Sequence, residues 1–130
     1  MMQGFVTNTP DIDAEVLRIL DQVEDAALVK PELAKPYRVL VPRADLQGRV
    51  TPLSRYCRVG VQAWSVRSDG SANLPDAFDL CAAAGAALEA APNTSSVILS
   101  AEIQSGPSRV ADDVTRIEYQ YMTVLLEVAC

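Results

Sequence analysis

The sequence predicts an α+β fold: a small antiparallel or mixed sheet of about four main strands, packed by two helices in the order α-β-β-α-β-β. A length of 130 residues suits a single domain, here residues 1–130. An apolar fraction of 49% with 22% charged residues is typical of a globular chain. Segments with helical apolar spacing alternate with segments in which every second residue is apolar. These observations do not determine the order of the strands in the sheet.

The first third of the chain contains a helix signal and then a short strand signal. Residues 9–11 combine a capping threonine, a proline suited to the first turn and an acid that complements the helix dipole. Apolar residues then recur at helical spacing, which predicts a helix over about residues 11–28. Residues 37–41 have strand composition, and Pro42 closes this strand. Residues 42–55 are therefore predicted to form a long loop.

The middle of the chain contains a half-buried strand and a helix made of small residues. From Tyr56 onward the side chains alternate between two faces. One face holds Cys57, Val59, Val61 and Ala63, and the other holds Arg58, Gly60, Gln62 and Trp64. A turn at residues 68–70 leads to a second helix from Pro75 to about Ala91. Because this helix is apolar nearly all round, we expect a core helix that lies close to the sheet, helped by Gly85.

The last third contains two further strands. Residues 97–104 alternate in polarity and predict the third strand, and residues 105–116 predict a second long connection. Residues 115–128 predict the fourth and longest strand. The second half of that strand is apolar on both faces, so we expect it to be central and covered on both sides.

Charge is distributed unevenly along the chain. The net charge is −6, which argues against wrapping nucleic acid. Residues 37–67 nevertheless contain six arginines and only one acid, Asp45, giving +5, whereas the segments before and after them sum to −4 and −7. Two interpretations stay open. These arginines form an ordinary solvated surface, or they form a basic face that meets an acidic face on a neighbouring copy or another partner.

No residue pattern indicates catalysis, a cofactor or a metal. The chain has no histidine, which removes the commonest general base and zinc ligand. Cys57, Cys81 and Cys130 lack metal or disulfide spacing and suit a reducing compartment. The Asp112-Asp113 pair lies in a Gly-Pro loop without a nearby third acid, so we interpret it as solvated loop. Neither a signal peptide nor a membrane-spanning apolar run is predicted.

The two long connections are the candidate functional segments, because long polar loops in a small domain often carry function. The first contains Arg43, Arg49 and Arg55, and the second contains Asp112 and Asp113. Opposite charges on two separate extensions suggest a head-to-tail interface between identical subunits, which can close into a ring. The predicted interface residues are Arg43, Asp45, Arg49, Arg55, Gly106, Pro107, Arg109, Asp112 and Asp113.

The chain resembles the tail terminator proteins of long-tailed, non-contractile (siphovirus-type) phages. The resemblance covers roughly residues 10–130 and rests on four features: the element order, the alternating strand at residues 59–64 with its Gly70 turn, the alanine-rich helix after Pro75, and the segment 105–113. That last segment looks like the versions found in phages of actinobacteria, and the arginine- and alanine-rich composition agrees with such a host.

The resemblance implies a structural virion protein with no catalytic residues, cofactor or metal. Such proteins form a ring of six copies on the head-proximal end of the tail tube, end tube polymerisation and offer a surface to the head–tail connector protein. The implied partners are other copies of the chain, the tail tube protein and the connector, and DNA passes through the lumen without sequence-specific binding. The implied location is the neck of the virion, after assembly in the host cytoplasm.

Three alternatives remain open at this point. The chain could be a head-completion or head–tail connector protein of the same virion. It could be a small ligand-binding regulatory domain, which would have a concave apolar pocket with a few convergent polar groups. It could also be a small enzyme that uses carboxylates or Tyr119 and Tyr121, an alternative weakened by the missing histidine and motifs.

Overall fold

The structure, a computed structural model, describes residues 12–28, 30, 33–51 and 53–129. Within these ranges the chain forms two helices, a short 3-10 turn and one four-stranded sheet, which confirms the predicted α+β class and element order. The elements are α1 (Ile12–Leu20), β1 (Tyr37–Thr51), β2 (Ser54–Val66), α2 (Leu74–Ala90), the 3-10 turn (Ala91–Asn93), β3 (Ile98–Ala111) and β4 (Glu118–Ala129).

The sheet is antiparallel throughout and has the strand order β1-β2-β4-β3. It consists of two hairpins, β1–β2 and β3–β4, joined where β2 pairs with β4. Ser54 pairs with Ala129, and Ala111 pairs with Glu118. The turns of the two hairpins therefore lie at opposite ends of the sheet, about 35–40 Å apart along β4 at the usual rise per residue.

The predicted loop over residues 42–55 is wrong, because β1 continues through Pro42 to Thr51. Pro42 pairs with Val61, and the ladder between β1 and β2 persists to the pair Thr51 and Ser54. β1 is an edge strand, so it needs hydrogen-bond donors on only one side and tolerates a proline.

The predicted connection over residues 105–116 is also wrong, because β3 runs on to Ala111. The register between β3 and β4 shifts between Ser105 and Ser108, which places Gly106 and Pro107 in a bulge. Gly106 has a φ of +90°, a backbone conformation that glycine adopts readily. The true connection is a short turn between Ala111 and Glu118.

The first helix ends at Leu20, eight residues before its predicted end, and its predicted start at residue 11 lies outside the described residues. The Asp21 carboxylate accepts a hydrogen bond from the Ala26 backbone N–H (2.9 Å), which supports a turn in place of further helix. The chain then lies beside β1, where the Leu40 N–H donates to the Asp25 carbonyl (2.9 Å). This contact covers the free edge of β1 at Leu40, near the start of the strand.

Both helices pack on one face of the sheet and form the main core with it. The predicted inward face of β2 is confirmed, because Cys57, Val59, Val61 and Ala63 are fully buried. A Cβ atom at Gly85 would lie 2.9 Å from both Ile103 Cδ1 and Met122 Sδ, so α2 approaches the sheet closely at this glycine, as predicted.

Cys57 and Cys81 are free thiols in this core, which confirms their interpretation as small buried apolar residues. Burial raises the pKa of Cys57 to about 11 and the pKa of Cys81 to about 12. Cys130 lies outside the described residues.

The second face of the sheet has a smaller cluster around Trp64, which is only 2% exposed. Its ring stacks on Tyr119 with centroids 4.4 Å apart, and its Nε1 donates to Gln62 Oε1 (3.0 Å). The Lys30 ammonium lies 4.8–4.9 Å from the ring centroids of Tyr37 and Trp64. Trp64 is thus a packing residue and is not free to stack on bases.

β4 is central in the sheet, as predicted, but the prediction that both of its faces are covered is wrong. Its helix-side residues are fully buried, whereas Tyr121, Thr123 and Leu125 on the opposite face stay partly exposed. We call that side of the sheet the open face. An antiparallel sheet can have one solvated face, so the apolar composition of β4 alone did not require a second cover.

Candidate functional site

The described residues contain two kinds of surface that can bind a partner: the hairpin ends and the outer side of α2. Of the predicted interface residues, Arg43 and Asp45 lie on β1 beside the open face. Their side chains are highly exposed (86% and 64%) and their charged groups are 4.0 Å apart. A pair this exposed contributes little to folding stability.

The turn end of the first hairpin is basic and apolar. Arg49 and Arg55 are cross-strand partners there. Leu53 at the turn is 77% exposed, and Tyr56 on the adjoining strand is 40% exposed. Within the described residues, no hydrogen-bond acceptor reaches the buried Arg55 Nε. We use the name basic hairpin end for Leu53 at the turn, Arg55 and Tyr56 next to it, and Arg58 and Arg43, which follow farther along the two strands.

The acidic pair in the second hairpin has a local role that its sequence did not reveal. The Asp112 carboxylate accepts hydrogen bonds from the backbone N–H groups of Thr115 (2.8 Å) and Val114 (3.2 Å) and from the Thr115 hydroxyl (2.9 Å). The bonds from Thr115 contribute most to lowering the pKa of Asp112. Asp112 therefore builds its own turn, and the exposed Asp113 is the acid free to face a partner.

The remaining predicted residues lie along the same hairpin. Arg109 pairs with Glu118 across the two strands at 3.3 Å, and both side chains are exposed. Gly106 and Pro107 form the bulge nearer the middle of β3. Arg49 and Arg55 thus lie near the turn of the first hairpin, and Asp112 and Asp113 lie in the turn of the second. Arg43 and the Gly106–Pro107 bulge lie near the middle of the sheet, on opposite edge strands, so a single subunit does not bring the nine residues together.

On the open face, Gly60 and Tyr121 form a contact that was not anticipated. The Tyr121 phenol covers Gly60, where it occupies the space of a Cβ atom. The hydroxyls of Ser105 and Thr123 lie 2.6 Å apart, and Arg58 Nε donates to Gln104 Oε1 (3.1 Å) across β4. A glycine inside an alternating strand was the available signal for this close approach.

The outer side of α2 is the second surface that sequence reasoning missed. We call it the outer helix face, and its exposed residues are Phe78, Asp79, Ala82, Ala83, Ala86 and Glu89. Phe78 is 46% exposed. The expectation of a fully packed core helix is therefore wrong for this side. The exposed side of a helix is normally polar, so an exposed phenylalanine followed by alanines is unusual.

A cleft of about 720 Å³ lies where β1 begins and β2 ends. Its walls combine apolar residues such as Leu33 and Val66 with the charged side chain of Arg38. The Arg38 guanidinium is already engaged, because it binds Glu24 Oε2 (2.6 Å) and Asp76 Oδ2 (2.8 Å). The Ser65 hydroxyl and Arg38 together lower the pKa of Asp76.

The described residues do not group three or more histidine, cysteine, aspartate or glutamate side chains closely enough to hold a metal ion. In the same part of the chain, neither helix has the length and apolar character needed to cross a membrane.

Comparison with protein-family models finds none that matches this chain, and comparison with curated proteins finds no match.

Proposed function

We propose that this protein is a structural component of a phage tail. It forms a ring at the head-proximal end of the tail tube, stops tube polymerisation there and provides the docking surface for the head connector. The observation that carries this proposal is the separation of unlike surfaces on one subunit. The turn of the basic hairpin end, with Leu53 and Arg55, lies at one end of the sheet, and Asp113 lies at the other. Subunits with two unlike contact surfaces associate head to tail, and they form rings when the rotation closes.

The charge of the chain suits a ring through which DNA passes. Six copies at −6 each carry −36. An acidic lumen repels the phosphate backbone, so DNA moves through without binding. The nine predicted interface residues remain the proposed contacts to neighbouring copies, the tail tube protein and the connector protein.

The decisive experiment is a gene deletion in the phage that encodes the protein. Without a terminator, tails grow to excess and irregular length, and wild-type protein supplied from a plasmid restores uniform tails. The alternative role as a head-completion or connector protein predicts the opposite pattern: tails of normal length, and heads that leak DNA or stay unjoined. Electron microscopy of the lysate distinguishes the two outcomes.

Complementation with variants tests the interface. A protein with Arg49→Glu and Arg55→Glu is expected to fold but not to restore uniform tails. A matched control reverses two exposed basic residues outside the predicted interface, Lys35→Glu and Arg116→Glu, and is expected to complement. Equal complementation by both proteins would refute the role of the basic hairpin end.

The cleft beside Arg38 supports one further candidate, the ligand-binding regulatory domain. A volume of about 720 Å³ is within the range of ligand pockets, and its walls are both apolar and polar. This function predicts that a small molecule raises the melting temperature by binding the folded state. The deletion phage would then have normal tails and joined heads.

A further inference from the structure

The exposed apolar side of α2 and the basic hairpin end complement each other in charge and in apolar character. We propose that the outer helix face of one subunit docks on the basic hairpin end of the next copy of the same chain. This inference rests on the self-assembly in the proposed function and names the surfaces that meet. It replaces the second hairpin with α2 as the main acidic partner of the arginines.

The acidic partner surface follows from the residues of α2. The helix contains three acids and no lysine or arginine. Asp76 is already bound by Ser65 and Arg38. Asp79 and Glu89 are exposed, and along the helix they flank the exposed alanines of the outer helix face, about 15 Å apart at the rise of an α-helix. An approaching subunit therefore meets an apolar surface with a carboxylate at each end.

The basic partner surface runs from the turn of the first hairpin along β1 and β2 as far as Arg43. Residues 43–58 include four arginines and one acid, a net charge of +3. Leu53 and Tyr56 add two exposed apolar side chains next to these charges. A surface with apolar residues surrounded by positive charges matches the outer helix face, which has apolar residues flanked by carboxylates.

The second hairpin is a weaker acidic partner. Its turn region combines Asp112, Asp113 and Glu118 with Arg109 and Arg116, so its net charge is only −1. The Asp112 carboxylate is engaged in its own turn, and Glu118 is paired with Arg109. Few negative charges are therefore left for the arginines of another subunit.

The two docking surfaces lie on different parts of the subunit. α2 packs over one face of β2, β3 and β4. The basic hairpin end consists of the turn between β1 and β2, the adjoining residues of β2, and Arg43 on the edge strand β1. Each subunit can therefore use both surfaces at once. Successive subunits then associate head to tail, the arrangement that a ring requires.

Site-specific cross-linking tests the docking directly. All proteins carry Cys130→Ser, and the buried thiols of Cys57 and Cys81 react slowly because burial raises their pKa to about 11 and about 12. A Leu53→Cys protein is mixed with an Ala82→Cys protein at about 1 mM and treated with a short bismaleimide. The control pair joins Leu53→Cys with Ser68→Cys, an exposed turn position outside both surfaces.

The expected yield of mixed dimer is at least about tenfold above the control pair, because docking raises the effective concentration of the two thiols. Adding Asp79→Arg and Glu89→Arg to the Ala82→Cys protein should lower that yield about tenfold. Adding Arg43→Glu and Arg58→Glu to the partner should then restore it.

A yield equal to that of the control pair overturns the proposed docking, and so does a reversal of Asp79 and Glu89 that changes nothing. Neither result decides the role at the tail, which the deletion phage tests by tail length. Conversely, tails of normal length combined with specific cross-linking would refute the terminator role and leave the docking in place.

Discussion

The bulge in β3 leads to a stability prediction whose size follows from the geometry of Gly106. We consider the substitution Gly106→Ala. The backbone φ of +90° is unfavourable for alanine and costs about 1–2 kcal/mol. The added Cβ would also meet the Tyr121 carbonyl oxygen and lie 2.8 Å from Met122 Cα. Both are backbone atoms of the central strand, so they cannot move aside as a side chain can.

Moving β4 away from the added Cβ costs further free energy beyond that of the unfavourable φ. Overpacking in a dense region costs about 1–3 kcal/mol. We therefore expect Gly106→Ala to lower the free energy of unfolding by about 2–5 kcal/mol, a large part of the roughly 5–15 kcal/mol typical of a domain. Gly70→Ala is the matched control. Gly70 has nearly the same φ, +88°, but its Cβ would meet only the mobile end of Lys35, 3.1 Å away, so about 1–2 kcal/mol is expected.

Urea unfolding followed by fluorescence of Trp64, the single tryptophan, measures both variants. Trp64 is buried against Tyr119 and becomes exposed on unfolding. The free-energy difference between the two variants isolates the contact with β4, because both share the backbone term. A difference below about 0.5 kcal/mol would refute the close approach of β3 to β4 at the bulge.

Three further predictions concern charges and thiols. Glu15 has its pKa lowered to about 2 by its bonds to a neighbouring arginine and to a serine, so its contribution is complete above its usual pKa of 4.5 and is lost as the pH falls toward 2. The wild type is expected to lose about 1 kcal/mol more than Glu15→Gln in acid titrations of stability, since solvent screens the exposed arginine. Arg38→Met leaves two carboxylates without their guanidinium and is expected to cost about 1 kcal/mol in urea unfolding, because Arg38 is 42% exposed. In a Cys130→Ser protein, Cys57 and Cys81 are expected to react with a thiol reagent at pH 8 only at the rate of unfolding, and a fast reaction of the folded protein would contradict their burial.

The element order and the buried side of β2 could be predicted because local and tertiary preferences agree there. Cys57, Val59, Val61 and Ala63 alternate without interruption, and a one-residue shift would move all of them to the open face. The start of α2 could also be predicted, because a proline such as Pro75 is favoured in the first turn of a helix.

The ends of β1, β3 and α1 could not be predicted because pairing with a distant strand overrides local signals. Pro42 ends a strand only when both of its sides must pair, and the sequence does not reveal that β1 lies at an edge. The Gly106-Pro107 step resembles a loop, but β4 holds it as a bulge. α1 kept its apolar spacing beyond Leu20, although Val23 and Ala26 reach the core from a non-helical segment.

The basic part of the proposed interface could be predicted from the sequence, because the arginines of residues 37–67 can be counted without a structure. The acidic part was not, because Asp112 and Asp113 were judged by their charge alone. A carboxylate that accepts three hydrogen bonds in its own turn has little left for a partner, whereas Asp79 and Glu89 were assigned to a helix expected to lie in the core. A helix that is apolar all round has no polar side to identify its exposed face.

The exposed side of α2 is a feature that the proposed self-assembly would explain. Phe78 is exposed at the surface, whereas Leu80, Cys81 and Leu88 of the same helix are buried in the core. Covering the exposed half of Phe78 would stabilise an assembly by roughly 25 cal/mol for each Å² of apolar surface removed from water. An exposed phenylalanine that a second copy would cover is expected where self-assembly is part of the function. On this proposal, Phe78→Ser should leave the monomer folded, although losing the buried half of the ring lowers its free energy of unfolding by about 1–2 kcal/mol. It should also abolish specific cross-linking between Leu53→Cys and Ala82→Cys proteins. Unchanged cross-linking would mean that this side of α2 faces solvent in the assembled protein as well.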